Sequence, residues 1–420
     1  MSSGISLKTH ILPMENHFLC ACGHWVFVYL TFSPLFSTII RYILGMTILI
    51  WSVGADRGGI LAQLEELISQ FRIVGNPVVC IPHGNGHIND TFRVECDNGR
   101  WYTLQQINTT VFQNPVELMQ NIQAVTAYLS MRVSDPREVL SLIPTRDDNT
   151  FVADDKGRYW RMFAFVRDSV CLDRVETPEQ FYEGAVAFGR FQNRLADFPI
   201  GSLVETIPHF HDTPFRLAAL QKAIREDVCG RVKSVESEID FILGREAFTH
   251  TFTDLQERGE LPLRVTHNDT KINNVLFDAA TLRGLCVIDL DTVMPGLAVN
   301  DFGDAIRYGA NTAAEDEPDT EKVHIHLPFY EAYMRGYLST CSESLTQQEK
   351  ELLPFGAKMM TLEVAIRFLM DYLMGDTYFK IHRPKQNLDR CRSQLALVRD
   401  MELHWDEMRH IAKEAEKQAK

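Results

Sequence analysis

The chain has 420 residues, 45% hydrophobic and 23% charged, which excludes wholesale disorder and leaves room for two or three packed units. A formal charge of -14 excludes a basic nucleic-acid-binding protein, although an acidic chain can still gather a locally positive site for an anionic ligand. The cysteine count is odd and no C-x-x-C pair occurs, so neither a disulfide framework nor a zinc site is indicated, and a reducing, cytoplasmic setting is expected.

From Phe18 to Ile40 no side chain is charged, and after Arg41 a second uncharged run continues to Ala55. About 20 apolar residues suffice to cross a bilayer. Gly23 and Pro34 interrupt this stretch, and no small-residue cleavage site ends it as in a signal peptide. Residues 1–57 therefore read as an extension with three alternatives: a membrane anchor, a buried or disordered tail, or a segment outside the functional protein. Membrane contact is expected only through 18–55. Cys20, Cys22 and His24 lie close together, but their spacing fits no common metal pattern.

Gly58 and Gly59 punctuate the boundary. Ile60 to Phe71 has Leu61, Leu64, Leu67 and Ile68 on one helical face. Val78 to Ile81 reads as a strand that enters the turn Pro82-His83-Gly84-Asn85-Gly86. Thr91 to Glu95 and Trp101 to Ile107 read as strands joined by the hairpin signal Asp97-Asn98-Gly99-Arg100. Pro115 opens a helix to Leu129. Val139 to Ile143, Thr150 to Ala153 and Tyr159 to Val166 complete a β-rich unit over 58–166. Residues 167–420 are expected to be mainly helical, with helices at Pro178 to Phe198, Ser234 to Glu260 and Thr346 to Asp376. The charged and apolar mixture at the C-terminus suggests a surface helix. One β island, Asn274 to Phe277 and Leu285 to Leu290, interrupts them. The fold class is α+β, in two lobes.

That island carries the chemistry. Asp269 sits in a loop feeding the first strand, Asn274 opens the strand, and the return strand ends at Asp289, so the three converge. Phosphoryl transfer needs such a set: one carboxylate takes the proton of the attacking hydroxyl, while a second carboxylate and an amide hold Mg²⁺ on the phosphates. Lys271, two residues from Asp269, is placed to meet the transferring phosphate. The plain alternative is a set of surface turn residues, since Asn and Asp favour turns.

His267-x-Asp269 through Asn274, followed by Ile288-Asp289-Leu290-Asp291, resembles the catalytic segments of the aminoglycoside phosphotransferase and choline kinase superfamily, whose fold is protein-kinase-like. The longer strings Thr266 to Phe277, Ile288 to Gly296 and Asp301 to Arg307 are similar to those of N-acetylhexosamine 1-kinases, over roughly residues 70 to 382. The resemblance implies ATP and Mg²⁺ as cofactors and a small-molecule sugar as acceptor. It implies Asp269 as general base, Asn274 and Asp289 as metal ligands, and His267 as a brace. Asp291 stands between a metal ligand and a supporting residue. Asp301 and Asp304 read as helix caps ahead of loop braces.

The same resemblance makes Gly84, Asn85 and Gly86 a nucleotide loop, whose glycines let backbone N–H groups approach phosphate oxygens. It places His87, Arg367 and Tyr378 at the sugar. Arg367 has a plain alternative too, an ion pair with Glu363 one turn earlier. One departure stands out. The third strand has Gln105 and Gln106 where protein kinases carry a lysine, and Lys156 is the only lysine from 58 to 166. Arg93, Lys271 or backbone N–H groups would have to compensate.

These observations leave a sugar 1-kinase and the same chemistry on choline, homoserine or an aminoglycoside. A metal-dependent hydrolase built on Asp269, Asp289 and Asp291 also remains. So does a membrane-tethered, nucleotide-binding pseudokinase. The oligomeric state is not legible.

Overall fold

Five antiparallel strands form the first lobe in the order β1-β2-β3-β5-β4: β1 Pro77–Pro82, β2 Asp90–Cys96, β3 Trp101–Ile107, β4 Val152–Ala153 and β5 Tyr159–Ala164. The computed structural model describes residues 60–84 and 88–419, all within the compact unit Arg57–Lys420. The expectations for 1–57, including the membrane contact, and for Asn85, Gly86 and His87 lie outside the described residues. Among those described, no helix is long and apolar enough to cross a membrane.

Strand alternation sorts the sheet's two faces. Leu104, Trp160 and Met162 pack with Leu67, Ile68 and Phe71 of helix α1, residues 60–69, and its exit. The opposite face turns Ile107 and Phe163 toward helix α2, Pro115–Ser130, where Met119, Ile122 and Val125 are buried. Arg161 falls on this second face, between Trp160 and Met162. Asn114 caps α2 by accepting the N–H of Glu117, and Pro115 takes the first turn, where its missing N–H costs nothing.

The second lobe is helical around two small sheets. Strands β6 Ser169–Cys171, β8 Val275–Asp278 and β9 Gly284–Val287 form one sheet, in the order β6-β8-β9. β7 Arg264–Thr266 pairs with β10 Met294–Gly296 in the other. Around them stand α3 Pro178–Arg194, α4 Thr213–Glu226, α5 Glu236–Leu243, α6 Glu246–Thr249, α7 Thr251–Glu257, α8 Ala298–Gly309, α9 Leu327–Cys341, α10 Gln347–Leu373, α11 Gln386–Leu403 and α12 Trp405–Gln418. Helix α10 starts at a capping box, Thr346 and Glu349 each accepting the other's backbone N–H.

Three expectations differ. Val139 to Ile143 is not a strand: Pro136 opens a 3-10 turn before it, Pro144 follows it, and only Leu142 bridges to Phe163. Ser234 to Glu260 is three short helices, interrupted at Gly244 and again at His250. The C-terminal segment is two helices, of which α11 is largely internal: Leu388, Cys391, Leu395 and Val398 join the α10 core.

Helices α8 and α10 cross with backbone contact. A Cβ on Gly303 would stand 2.3 Å from the Gly356 carbonyl, and one on Gly356 would stand 2.3 Å from that of Val299. Gly303→Ala is therefore expected to force the helices apart and to destabilise the lobe by about 1–3 kcal/mol, read as a lowered thermal midpoint. An unchanged midpoint would show that the crossing can relax.

Candidate active site

The loop from β7 to β8 is held from below by α8. Asp301 accepts the N–H groups of His267 and Asn268, both at 2.8 Å, and Asp304 accepts that of Thr270 at 2.9 Å. Both carboxylates are buried. They lie inside the helix and receive loop amides, so they are loop braces and not caps. Burial pushes the Asp301 carboxyl up to about 6 despite the two N–H donors and the neighbouring His267.

His267 also serves the frame. Its Nε2 lies 2.8 Å from the Ile288 carbonyl and its Nδ1 lies 3.3 Å from the Asp269 backbone nitrogen, so the ring bridges the loop and the return strand. The ring sits edge-on between Phe188 and Phe191. Asn268 takes a left-handed conformation, φ 63°, and donates its side-chain amide to Thr292 O at 2.8 Å. The loop is thus tied on both sides of Asp269.

Asp269 itself faces the cleft, with 29% of its side chain exposed. Lys271 Nζ lies 2.9 Å from its Oδ1, and Asn274 Nδ2 lies 3.1 Å from its Oδ2. Removal from water favours the neutral acid, but the Lys271 ammonium outweighs it, so the Asp269 pKa is lowered and the group is an ionised acceptor. Burial opposes the charge of Lys271 as well, yet Asp269 and Asp304 raise its pKa. Lys271 is therefore a permanent cation beside that carboxylate.

The structure brings Asn274 and Asp289 to the same place. Asn274 donates its amide hydrogens to Asp269, including the backbone carbonyl at 2.8 Å, which leaves its Oδ1 without a described donor. Ile288 N–H bonds Asn274 O at 2.9 Å and so docks the two strand ends. Asp289 follows in a left-handed conformation, φ 58°, and its carboxylate makes no hydrogen bond to a described residue. The surrounding protein, then Asp291 and Asp269, push its pKa up to about 7. The side chain is open to solvent, which screens part of that effect.

Asp291 is different: it is buried, and both its oxygens are taken. Oδ1 is paired with Arg161 and Oδ2 accepts Asn89 Nδ2. Sequence reasoning missed Arg161, although a lone arginine in the apolar strand Trp160-Arg161-Met162-Phe163 was a usable signal. Arg93, the compensating arginine first considered, pairs with Glu95 and lies over Trp101.

Elsewhere in the second lobe, Arg367 and Tyr378 come together. The guanidinium lies 5.0 Å from the Phe210 ring, 5.6 Å from Phe379 and 5.9 Å from Tyr378. It does not pair with Glu363. That carboxylate is taken by His211 Nδ1 at 2.8 Å and Thr213 Oγ1 at 2.7 Å. His211 Nε2 reaches the Asn268 carbonyl at 3.2 Å. No local sequence signal announces His211, because its partner Glu363 is 152 positions away. A cavity of about 210 Å³ lies behind the loop and touches Asn268 and Gly296, but not Asp269. Gly84, φ 79°, has no described atom within 4 Å of where a Cβ would stand.

The donors suit a hard cation. Among the described residues no group of three His, Cys, Asp or Glu is placed to hold a metal. Mg²⁺ needs only one or two protein oxygens when phosphates supply others. Asn274 Oδ1 and the unbonded Asp289 carboxylate are such a pair: Asp269 is paired with Lys271 and Asp291 with Arg161, whereas Asp289 pairs with no cation among the described residues. An ionised carboxylate held beside two oxygen donors that could take a divalent cation is an arrangement suited to phosphoryl transfer.

The chain belongs to the APH phosphotransferase enzyme family, whose model matches residues 79–340. The fold is shared with solved small-molecule kinases. An aminoglycoside phosphotransferase from Alicyclobacillus acidocaldarius superposes with TM-score 0.54 at 12% identity, covering 84% of this chain and 95% of that one. An amicoumacin kinase in complex with AMP-PNP and Ca²⁺ gives 0.53 at 11%, covering 85% and 93%. A microcompartment-associated aminopropanol kinase gives 0.51 at 14%, covering 83% and 98%.

Proposed function

We propose that the protein transfers the γ-phosphate of ATP, with Mg²⁺, to the anomeric hydroxyl of an N-acetylhexosamine. The observation that carries the phosphotransfer is the convergence of ionised Asp269 with Asn274 and Asp289 on a loop braced by Asp301 and Asp304. The neighbouring amicoumacin kinase, in complex with AMP-PNP and Ca²⁺, supports a nucleotide and divalent-cation reading.

Asp269 accepts the hydrogen bond of the acceptor hydroxyl and takes its proton as the new P–O bond forms. Lys271 and Asn274 keep both carboxylate oxygens oriented. Asn274 and Asp289 would hold Mg²⁺, which when bound offsets phosphate charge. Gly84 and its loop would cover the nucleotide. Asp291 supports the site through Arg161 and Asn89 and does not act as a metal ligand in this reading.

The sugar follows from the family resemblance and from charge. Burial and the Arg367 charge together lower the Arg216 pKa, so two crowded guanidinium groups border the acceptor side. They repel a cationic acceptor such as choline or an amino alcohol, and suit a neutral polyol carrying an amide oxygen. Phe210, Tyr378 and Phe379 offer flat faces for the sugar ring. Arg367→Ala is expected to raise KM for the N-acetylhexosamine roughly tenfold to a hundredfold and to leave KM for ATP unchanged. Equal loss on both substrates would remove Arg367 from the acceptor site.

A further inference from the structure

We propose that Arg161 is the cation that grips the nucleotide's phosphates, replacing a lysine on the third strand. The proposal rests on the nucleotide-dependent reading above. In protein kinases a strand lysine holds the phosphates while a carboxylate on the following helix keeps it in place. Here β3 offers Gln105 in place of a lysine, and from α2 it is Met119 that stands nearest Arg161, its sulfur 3.9 Å from Nη1, with no carboxylate of that helix bonded to the guanidinium.

Both charges are supplied from other elements. Arg161 stands opposite Gln105 on the adjacent strand β5, and its Nε donates to Gln105 Oε1 at 3.0 Å. Gln105 in turn donates to Thr91 Oγ1 at 3.1 Å, so one polar row crosses β2, β3 and β5 on the face toward the catalytic hairpin. Asp291, from that hairpin, supplies the fixing carboxylate through Arg161 Nη1. Its other oxygen holds Asn89, at the exit of the glycine loop, and Asn89 Oδ1 accepts the Asn108 N–H at 2.9 Å.

Asn89, the sheet through Arg161, and the hairpin thus meet at the Asp291 carboxylate. Arginine has five N–H donors in a rigid fork. Nε and Nη1 are engaged, and Nη2 donates to no described residue. A guanidinium held by one carboxylate where the sheet meets the hairpin, with Nη2 donating to no described residue, offers that amino group to a phosphate oxygen. A purely structural cation would need only the pair with Asp291. It would not need to stand on the face that meets the catalytic hairpin, in register with the empty strand position.

The test is calorimetric binding of ADP and of adenosine, with Mg²⁺, to the full chain and to Arg161→Gln, Arg161→Lys and the double variant Arg161→Gln/Gln105→Lys. Folding of each is checked by thermal melt. ADP affinity is expected to fall roughly tenfold to a hundredfold in Arg161→Gln, with adenosine affinity unchanged. It should recover in the double variant, where a lysine stands on the third strand. Arg161→Lys keeps the charge without the fork and is the milder arm should the glutamine variant not fold. There ADP is expected to weaken about threefold or more, again without effect on adenosine. ADP binding unchanged in the folded variants, or ADP and adenosine lost in parallel, overturns the assignment alone. A wild-type protein that binds neither ligand overturns the nucleotide reading beneath it.

Discussion

Asp269→Asn is expected to lower the phosphotransfer rate roughly 10²- to 10⁴-fold while nucleotide affinity stays within about twofold. The substitution keeps the shape of the side chain and removes the only group that can take the acceptor's proton at that position. Asn274 still finds the Asp269 backbone carbonyl at 2.8 Å, so the loop keeps its seat. Asp301 and Asp304 hold the flanking amides independently. A comparable loss of ATP binding would mean that Asp269 organises the nucleotide, and a wild-type rate would end its role as base.

The second large effect combines loss of function with a gain in stability. Asp289→Asn removes one of two proposed metal ligands and is expected to weaken Mg²⁺ binding by at least about tenfold to a hundredfold, with turnover falling in parallel. In the metal-free protein the sign reverses. The Asp289 carboxyl is pushed up to about 7, above its value of 3.8 in an unfolded chain, so the folded state holds its proton more tightly. That contribution to stability is complete below the unfolded value and is lost as pH rises through the folded one. Metal-free wild type should therefore lose thermal stability between about pH 4 and about pH 7, and Asp289→Asn should lose less. Mg²⁺ should restore the wild type at the higher pH and not the variant. A variant with the same pH slope as wild type would place the repulsion elsewhere.

Much of this was legible because the site is local. Asp269, Asn274 and Asp289 lie within one strand–turn–strand unit, so spacing alone brought them together. Hairpins with turn-forming residues and proline-started helices were also readable from short windows. What spacing could not supply were pairings between distant segments. Arg161 meets Asp291 across 130 positions and His211 meets Glu363 across 152. The ion pair read for Arg367 and Glu363 failed for the same reason: helical spacing permits it, but His211 and Thr213 arrive from another element and claim the carboxylate. Asp301 and Asp304 looked like caps because acids favour helix starts. Only the packing of α8 under the catalytic loop shows which amides they receive. Breaks such as Gly244 and the Pro136–Pro144 segment were visible as residues, yet their effect depended on tertiary contacts available nearby.

The central claim is tested most directly by giving the full-length protein ATP, Mg²⁺ and a panel of N-acetylhexosamines, neutral hexoses and amino alcohols, with phosphorus and proton NMR locating the phosphate. The expected result is ADP formation coupled to a phosphate on the anomeric carbon of an N-acetylhexosamine, absent with Asp269→Asn. Phosphate on a choline or amino-alcohol hydroxyl alone, turnover that needs no nucleotide, or full activity of Asp269→Asn would contradict it.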